Sequence, residues 1–230
     1  MMSRLVLALP SKGRLADSAI SRFRRSGLNV PAPTGRTYVG ALEGIDNVDV
    51  IFVSASEIAS FLRQGRAHMG VTGEDLIREE MIDASKYCRI LARLGFGEAD
   101  VVVAVPDYWI DVHDMVDLEE VAFAFREARR RLRVATKYVN LTREHFRKHG
   151  ISDYRVVKSL GATEGAPAAG LAEVIVDIST TGNTLLANRL RRVGAPVLKS
   201  EAVLASGLDC KWPDAVRRAR DEIAVRVAGA

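Results

Sequence analysis

Short apolar runs alternate with amphipathic segments along this chain of 230 residues. The runs Val48–Val53, Asp100–Val105 and Val174–Val176 are rich in Val and Ile, and each has the length of a strand. Between the runs lie segments with apolar residues at helical spacing, among them Leu118–Arg131 and Asp214–Val227. Strands that are buried on both faces read as continuous apolar runs. The alternation therefore predicts an α/β fold with mostly parallel sheets.

Further short strands and helices complete this pattern. Ser54 and Glu57 have the spacing of a capping box, so we expect a helix to begin there, directly after the strand Val48–Val53. Short helices are also predicted at Glu74–Met81 and Thr142–His149. The remaining predicted strands are Arg4–Leu9, Met69–Thr72, Ile90–Leu94, Leu132–Thr136, Tyr154–Ser159 and Val197–Ala205. The sequence contains no internal repeat and no long linker.

The charge balance is mildly basic. The chain has 33 Lys and Arg residues against 29 Asp and Glu, which gives a formal charge of +4 and a pI near 9.2. Such a balance suits either nucleic acid or a pocket for polyanionic small molecules. The basic residues are spread along the chain, the densest run is Arg126–Arg133, and no nucleic-acid motif accompanies them. We therefore expect anionic metabolites as ligands and no nucleic-acid partner.

The cysteines and the apolar runs bear on the compartment. Cys88 and Cys210 lie far apart without the spacing of metal ligands, so we expect free thiols in a reducing cytosol and no metal site built from protein side chains. The apolar run in Met1–Pro10 is too short for a signal peptide. No apolar stretch approaches the roughly 20 residues of a membrane helix. The sequence predicts a soluble, cytoplasmic protein without a membrane partner.

The segment Glu173–Leu185 carries the most specific chemistry. Its apolar strand ends in a carboxylate, Asp177, and a hydroxyl-rich loop around Gly182 leads into a predicted helix. Successive backbone N–H groups in such a loop form an anion cradle, and hydroxyls add donors without bulk. Asp177 would repel the same anion, so it suits sugar hydroxyls instead. The loop indicates a ribose-phosphate ligand, with an ordinary strand–turn–helix connection capped by Thr181 as an equal alternative.

The longer string Asp177–Leu190, which reads DISTTGNTLLANRL, resembles the phosphoribosyl-diphosphate (PRPP) loop of ATP phosphoribosyltransferases. The commonest class of phosphoribosyltransferases has a second acid where this chain has Ile178. Four other segments resemble further motifs of the same family in the same order along the chain. They are Leu7–Leu15, Gly70–Leu76, Ala135–Thr142 and Gly161–Pro167. The resemblance covers nearly the whole chain, and five ordered partial matches are hard to obtain by chance.

The resemblance also implies an architecture. The family is similar to periplasmic binding proteins, with two α/β lobes, mostly parallel sheets and a cleft between the lobes. We expect residues 1–94 and 181–230 to form the first lobe and residues 95–180 to form the second. Long members carry a C-terminal regulatory domain that binds histidine. We expect no such domain here, because the chain resembles the short form.

Short-form members of the family imply particular partners. Short forms work with a separate regulatory subunit that resembles a histidyl-tRNA synthetase. The resemblance therefore implies a hetero-oligomer of such a subunit with this chain. Histidine would then be sensed by the partner. A homodimer of catalytic chains is also implied by the resemblance.

The implied reaction joins N1 of ATP to C1′ of PRPP and releases pyrophosphate, which is the first step of histidine biosynthesis. An oxocarbenium-like transition state needs charge stabilisation and alignment more than covalent help. Mg²⁺ is the expected cofactor, held mostly by substrate oxygens and water. Two alternatives stay open: a solute-binding protein of the same architecture, and a phosphoribosyltransferase that acts on a free nucleobase.

The family's functional residues carry over at the matched positions. Arg14 and Arg36 resemble arginines that reach the pyrophosphate, and a guanidinium can grip phosphate oxygens in bidentate fashion. Asp177 is implied to hold the ribose hydroxyls. The other residues implied to bind PRPP are Ser179, Thr180, Thr181, Gly182, Asn183 and Thr184. Those implied to bind ATP are Lys12, Gly13, Glu74, Asp75 and Glu164.

Structural alternatives accompany several of these residues. Lys12 could be a solvated lysine beside a turn, and Arg36 could be a solvated arginine of a loop, without any contact to a ligand. Glu74 and Asp75 would also stabilise the N-terminus of the helix that follows them, whatever else they do.

The chain departs from the family pattern at three places. The family often has Arg-x-x-Asp where this chain has Ser54-Ala-Ser-Glu57, so an arginine contact is absent there. His68 stands where an Asp is common, and Val139 stands where a proline is usual. These departures concern details of the phosphate site.

Overall fold

A computed structural model describes residues 4–30, 39–159, 161–208 and 212–230. Within these ranges the chain divides into two compact units. Unit 1 takes the described residues of Met1–Glu98 together with Glu201–Ala230, and unit 2 is the continuous segment Ala99–Ser200. The second unit is therefore an insertion into the first.

Unit 1 is built on a six-stranded sheet. Its strands are β1 (Leu5–Pro10), β2 (Val39–Ala41), β3 (Val48–Val53), β4 (Met69–Gly73), β5 (Cys88–Arg93) and β11 (Ala202–Gly207). Its helices are α1 (Gly13–Arg25), α2 (Ala55–Arg63), α3 (Glu74–Glu80) and α7 (Asp214–Ala228). The strand order is β2-β3-β1-β4-β11-β5, and β1 pairs in parallel with both β3 and β4. The carboxyl ends of these three strands therefore meet at one edge of the sheet.

Helices cover both faces of this sheet because its central strands are apolar on both sides. On one face, Leu7 of β1 belongs to a core that includes Phe23 of α1 and Ile223 of α7. On the other face, Ala8 belongs to a core that includes Ile58 of α2. Successive strand residues point to opposite faces, so one short strand contributes to both cores. Each fully buried large apolar side chain contributes about 1.5–3 kcal/mol.

Unit 2 is built on a five-stranded sheet with the order β10-β6-β9-β7-β8. Its strands are β6 (Ala99–Pro106), β7 (Leu132–Thr136), β8 (Tyr154–Lys158), β9 (Val174–Ser179) and β10 (Leu190–Ser200). Its helices are α4 (Met115–Glu127), α5 (Val139–Lys148) and α6 (Asn183–Ala187). One face of the sheet is covered by α6, whose Leu185 packs in a core with Val102, Ala104 and Ile175. Strand β7 pairs in parallel with both β8 and β9.

The α/β class is confirmed, but the two sheets are mixed rather than mostly parallel. In unit 1, β2 runs antiparallel to β3, and β11 runs antiparallel to β4 and β5. In unit 2, β6 runs antiparallel to β9 and β10. An antiparallel strand that is covered on both faces has the same continuous apolar pattern as a parallel one, so the pattern did not distinguish them.

The last third of the chain differs most from the prediction. The single strand predicted at Val197–Ala205 is two strands, β10 and β11, separated at Glu201. Strand β10 pairs with β6 of unit 2, whereas β11 pairs with β4 of unit 1. The chain consequently returns to unit 1 at Glu201, and the resemblance had placed this return at residue 181. The first crossing lies at Glu98 rather than at residue 94.

Cys88 is a buried free thiol, and Cys210 lies outside the described residues. Burial raises the pKa of the Cys88 thiol, which keeps it protonated and inert. Among the described residues, no helix combines the length and apolar character that crossing a membrane requires.

Candidate active site

Three parallel strands of unit 2 end at the same edge of its sheet, and matched motifs follow each of them. Strand β7 leads into Lys137, β8 leads towards the segment Gly161–Pro167, and β9 leads into the loop Thr180–Gly182. Ligands in open α/β sheets bind beyond the carboxyl ends of such strands. This topology brings Asp177, near the end of β9, into one neighbourhood with Glu164.

The loop after β9 turns sharply at Gly182. This residue has φ +83°, in the left-handed region that favours glycine, and it is the N-cap of the five-residue helix α6. The cap therefore lies one residue after Thr181, although Thr181 Oγ1 still accepts a 3.4 Å hydrogen bond from the N–H of Asn183. Thr180 and Thr184 are exposed, and their hydroxyls make no hydrogen bond to the described residues. These hydroxyls are available to a ligand.

Asp177 is a partly buried carboxylate beside this loop. Its Oδ1 accepts a hydrogen bond of 2.8 Å from the N–H of Ile178 and lies 3.8 Å from Nζ of Lys137. Burial raises the pKa of Asp177 above its ordinary value, and the carboxylate of Glu164 adds to the rise. The Ile178 amide, the Lys137 ammonium and the Thr163 hydroxyl act in the opposite direction. A carboxylate that is desolvated and set among specific partners is typical of functional sites.

Glu164 belongs to a short 3₁₀ turn, Thr163–Gly165. The turn starts from Ala162, whose φ of +48° is in the left-handed region. Thr163 Oγ1 donates a 3.0 Å hydrogen bond to Ser159 Oγ, which ties the turn to the end of β8. Non-glycine residues in this backbone region are strained, and such strain clusters at functional sites.

Arg192 of β10 reaches the PRPP-like loop from a neighbouring strand. Its Nη2 lies 3.1 Å from Oγ of Ser179, and its Nη1 lies 3.3 Å from Oδ2 of Asp100. A Cβ built on Gly182 would lie 4.0 Å from the same Nη2. The guanidinium is therefore in contact with the first hydroxyl of the loop.

Two cations of this neighbourhood, Lys137 and Arg192, were not among the site residues predicted from the sequence. Lys137 stands inside the matched segment Ala135–Thr142, so that motif could have revealed it. Arg192 has no local signal, because only the antiparallel pairing of β10 with β6 brings it to the loop.

In unit 1, the basic turn after β1 lies at the carboxyl edge of the sheet. Lys12, Gly13 and Arg14 are exposed, and Gly13 has φ +77° at the start of α1. A Cβ on Gly13 would meet nothing within 4 Å, so glycine is needed there for its backbone conformation alone. Neither Lys12 nor Arg14 forms an ion pair with the described residues. Both cations can reach an anionic ligand.

Glu74 and Asp75 are both buried at the start of α3. Glu74 Oε1 lies 2.6 Å from Nη2 of Arg78, and Glu74 Oε2 forms a 2.6 Å ion pair with Nη2 of Arg93 that lacks hydrogen-bond geometry. The Asp75 carboxylate folds back over Gly73, where a Cβ would lie 2.2 Å from Oδ1. Both carboxylate oxygens of Glu74 are therefore engaged by arginines, one from its own helix and one from β5.

The two polar departures from the family pattern both have structural roles. Ser54 Oγ accepts from the N–H of Glu57 at 3.3 Å, and the Ser54 N–H donates to Glu57 Oε2 at 3.0 Å, which confirms the capping box of α2. His68 is buried, and its Nδ1 accepts a 2.9 Å hydrogen bond from the N–H of Val6. Its ring packs edge-on against Trp212 with centroids 4.8 Å apart.

Arg36, the second arginine assigned to pyrophosphate, lies outside the described residues. Among the residues that are described, no group of three His, Cys, Asp or Glu side chains is arranged to hold a metal ion. The groups that do come together in unit 2 are hydroxyls, backbone amides, two cations and a desolvated carboxylate. This combination suits a sugar phosphate.

Comparison with known proteins decides the family. The model of the family described as ATP phosphoribosyltransferase (HisG) matches residues 54–226. A protein of Bradyrhizobium sp. (strain ORS 278) named ATP phosphoribosyltransferase is 54% identical over 220 residues, which are 94% of this chain and 68% of that protein. The chain belongs to the ATP phosphoribosyltransferase family.

Solved structures agree with the ATP phosphoribosyltransferase fold. The ATP phosphoribosyl transferase (HisG:HisZ) complex from Thermotoga maritima aligns with a TM-score of 0.70 and 22% identity, over 98% of this chain and all of that one. The substrate binding protein of an amino acid ABC transporter aligns with a TM-score of 0.55 and 11% identity, over 97% and 91% of the two chains. At these identities the likeness concerns the fold, and it confirms the architecture of periplasmic binding proteins.

Membership of the ATP phosphoribosyltransferase family gives the reaction. The chain is a pentosyltransferase that joins N1 of ATP to C1′ of PRPP with release of pyrophosphate, the first step of histidine biosynthesis. The two alternatives are not favoured, because a named relative is identical at more than half of the aligned positions whereas the transporter protein shares only the fold.

Proposed function

We propose that, within this reaction, the loop Ser179–Thr184 holds the 5′-phosphate of PRPP. The observation that carries the proposal is the turn at Gly182, with φ +83°. Its loop has no carboxylate and presents the exposed hydroxyls of Thr180 and Thr184, which make no hydrogen bond to any residue that the structure describes. Hydroxyl and amide donors of this kind are strong ligands for phosphate oxygens.

Asp177 is the proposed acceptor for the ribose hydroxyls. Its burial disfavours the charged form, because few water molecules can solvate the carboxylate. The hydroxyls of a bound sugar would donate to this carboxylate and replace the missing water. An acceptor next to a phosphate cradle therefore favours a ribose phosphate over a simple anion.

Further residues are proposed to contact the pyrophosphate and ATP. Arg14 and Arg36 are proposed to reach the pyrophosphate, and Lys12 and Gly13 the phosphates of ATP. Lys12, Gly13 and Arg14 lie in the exposed turn after β1, and neither cation there pairs with an acid of the described residues, which supports the proposal for these three. Glu164 is proposed to contact ATP, and its position beside Asp177 supports a place near the reacting ribose.

Glu74 and Asp75 are proposed to contribute to the ATP site. Both carboxylates are buried, and Glu74 is already engaged by two arginines. Their role would be to shape the turn that follows β4.

The chemistry follows from these placements. As the bond from C1′ to pyrophosphate lengthens, the ribose gains positive charge, which the nearby Asp177 carboxylate would offset. The loop would hold the 5′-phosphate so that C1′ stays aligned with its nucleophile. Mg²⁺ would be held mainly by the diphosphate oxygens of PRPP, and Asp177 and Glu164 could add hard carboxylate oxygens from unit 2. When bound, it neutralises charge on the leaving pyrophosphate.

We also infer a regulatory partner for this chain. The aligned structure from Thermotoga maritima is a HisG:HisZ complex, and a separate subunit of that kind, related to histidyl-tRNA synthetase, is the proposed partner of a homodimer of this chain in the cytoplasm. Light scattering of the purified chain, alone and mixed with the HisZ-type subunit of the same genome, tests this. We expect a dimer and a larger hetero-oligomer. A chain that stays monomeric and does not bind the HisZ-type subunit would contradict the inference.

Two loop variants test the phosphate cradle by calorimetry with ribose 5-phosphate. Thr184→Ala should weaken binding by about 1–2 kcal/mol, roughly 5- to 30-fold, through a lost hydrogen bond to a charged group. Gly182→Val should weaken it more, because a β-branched residue is strained at φ +83°. Ser152→Ala, an exposed hydroxyl deletion in unit 2, is the control and should change nothing. If both loop variants bind like the parent, the cradle lies elsewhere.

A further inference from the structure

The loop that is proposed to bind phosphate contains no cation of its own. Its residues, Ser179–Thr184, are all neutral, and the nearest acid along the chain is Asp177. A phosphate monoester carries a charge of about −1.5 to −2 at pH 7. Neutral donors leave most of that charge uncompensated, so a tightly bound phosphate needs a cation from another part of the fold.

The register of the sheet brings Arg192 to this place. Arg192 pairs with Ala104 across β10 and β6, and Asp100 pairs with Ser179 across β6 and β9. Residues two or four positions apart on a strand share a face, so Ala104 and Asp100 lie on the same face of β6. The long side chain of Arg192 runs along this face, and its guanidinium ends between Asp100 and Ser179.

The guanidinium is anchored on one side and has donors to spare on the other. Its Nη1 is held 3.3 Å from the carboxylate of Asp100, and its Nη2 lies 3.1 Å from Ser179 Oγ. The same Nη2 would be 4.0 Å from a Cβ on Gly182, so it lies directly beside the turn. A guanidinium has five N–H donors, and its contacts with the described residues leave the others available. The side chain is 36% exposed, so a ligand in the loop could reach it.

We propose that Arg192 is the charged residue of the 5′-phosphate subsite. Its Nη2 donates to a phosphate oxygen of PRPP, and Asp100 holds the guanidinium in the required orientation. The inference rests on the proposed function of the loop. The other cation of this neighbourhood, Lys137, lies 3.8 Å from Asp177 and belongs to the ribose side of the site.

The test measures the binding of ribose 5-phosphate and of pyrophosphate to the full chain by calorimetry. Arg192→Met, which removes the charge, should weaken ribose 5-phosphate about 10- to 100-fold, the range for a hydrogen bond between charged groups, and leave pyrophosphate within about twofold. Arg192→Lys should fall between, because a lysine keeps the charge but loses the planar fork. Arg155→Met is the matched control and should bind both ligands like the parent. Arg155 is an exposed arginine of β8 that forms no ion pair with the described residues.

The pH dependence separates a phosphate contact from a structural role. The second ionisation of a phosphate monoester lies near pH 6, so the parent should gain affinity for ribose 5-phosphate between about pH 5.5 and 7.5. Arg192→Met should lose most of this gain. Asp100→Asn, which frees the guanidinium without removing it, should cause a smaller loss that does not add to that of Arg192→Met.

Thr184→Ala distinguishes the failure of this inference from the failure of the proposed function. If Thr184→Ala weakens ribose 5-phosphate and Arg192→Met does not, the loop binds phosphate without Arg192 and the inference is overturned. If neither variant weakens the binding of ribose 5-phosphate, both the inference about Arg192 and the proposed function of the loop are wrong. An Arg192→Met variant that loses ribose 5-phosphate and pyrophosphate equally, with a lower Tm, would show a structural role and also overturn the inference.

Discussion

At the scale of single residues, folding disfavours the charged form of Asp177, whereas the proposed function requires that form. Burial raises its pKa, so folding disfavours its charged form. The resulting cost to stability is present at every pH above the folded-state pKa and is absent below the pKa of the unfolded chain. A carboxylate that destabilises its own fold at neutral pH is understandable where a ligand needs a strong acceptor.

Asp177→Asn is therefore expected to be more stable than the parent at pH 7. Its advantage in urea unfolding should shrink as the pH falls and the parent's carboxyl group becomes protonated. The same change should weaken PRPP binding about 10-fold or more, because hydrogen bonds from the sugar hydroxyls to a charged acceptor are lost. Asp111→Asn, at an exposed position of unit 2, is the control for both measurements. A less stable Asp177→Asn at pH 7 would contradict this account.

At the scale of elements, helix α2 approaches strand β4 closely at Gly70. A Cβ on Gly70 would lie 2.5 Å from Cγ2 of Ile58 in α2 and 3.2 Å from the carbonyl oxygen of Ala8 in β1. Gly70 opens the matched motif Gly70–Leu76. Its role is to let the helix rest on the sheet, which keeps the turn after β4 in place.

Gly70→Ala should destabilise the protein by about 1–3 kcal/mol, the usual cost of overpacking a core. Gly161→Ala is the control, since a Cβ there meets nothing within 4 Å and the backbone has no positive φ. It should stay within about 0.5 kcal/mol of the parent. Urea unfolding of the two variants and the parent provides the comparison. Equal losses for both would show that the space around Gly70 is not limiting.

The bounds of elements depended on caps that the apolar pattern does not contain. Helix α4 starts at Met115, three residues before the predicted start, because Asp114 and Asp117 form a capping box with Asp in place of Glu. It ends at Glu127 because Arg129 adopts φ +56°. The left-handed conformation recurs at Arg189, which follows the short helix α6.

At the scale of the whole molecule, one unit is continuous in sequence and the other is not. All strands of the second sheet lie within Ala99–Ser200. In the first sheet, β11 lies between β4 and β5, although it follows them only after the whole of unit 2. Helix α7 packs in the same core as β1. Unit 1 therefore needs both ends of the chain.

A fragment of residues 99–200 is expected to fold alone and to unfold cooperatively in urea. It contains Asp177, Glu164 and Arg192, so it should retain binding of ribose 5-phosphate. A fragment of residues 1–98 should show no cooperative transition, because β11 and α7 are missing; a chain that joins residues 1–98 to 201–230 by a flexible linker should regain one. Circular dichroism and calorimetry check these outcomes. A disordered 99–200 fragment would mean that unit 2 depends on the rest of the chain.

The sequence alone was enough to predict the kind of fold and the family, and most residues of the proposed site come from its motifs. Apolar runs mark strands whatever their partners, so β3, β4 and β7 were predicted within a residue of their bounds. Motifs such as Asp177–Leu190 carry chemistry in consecutive residues, and local order is enough to recognise them.

Only the tertiary structure decided strand direction, the return of the chain at Glu201 and the arrival of Arg192 at the loop. Each of these depends on which strand a segment pairs with, and pairing joins residues that are far apart in sequence. The same holds for Glu74, whose two arginines are supplied partly by its own helix and partly by β5. Hydrophobic burial selects which residues go inside but is not directional, so the partner of each strand is settled only when the whole sheet is assembled.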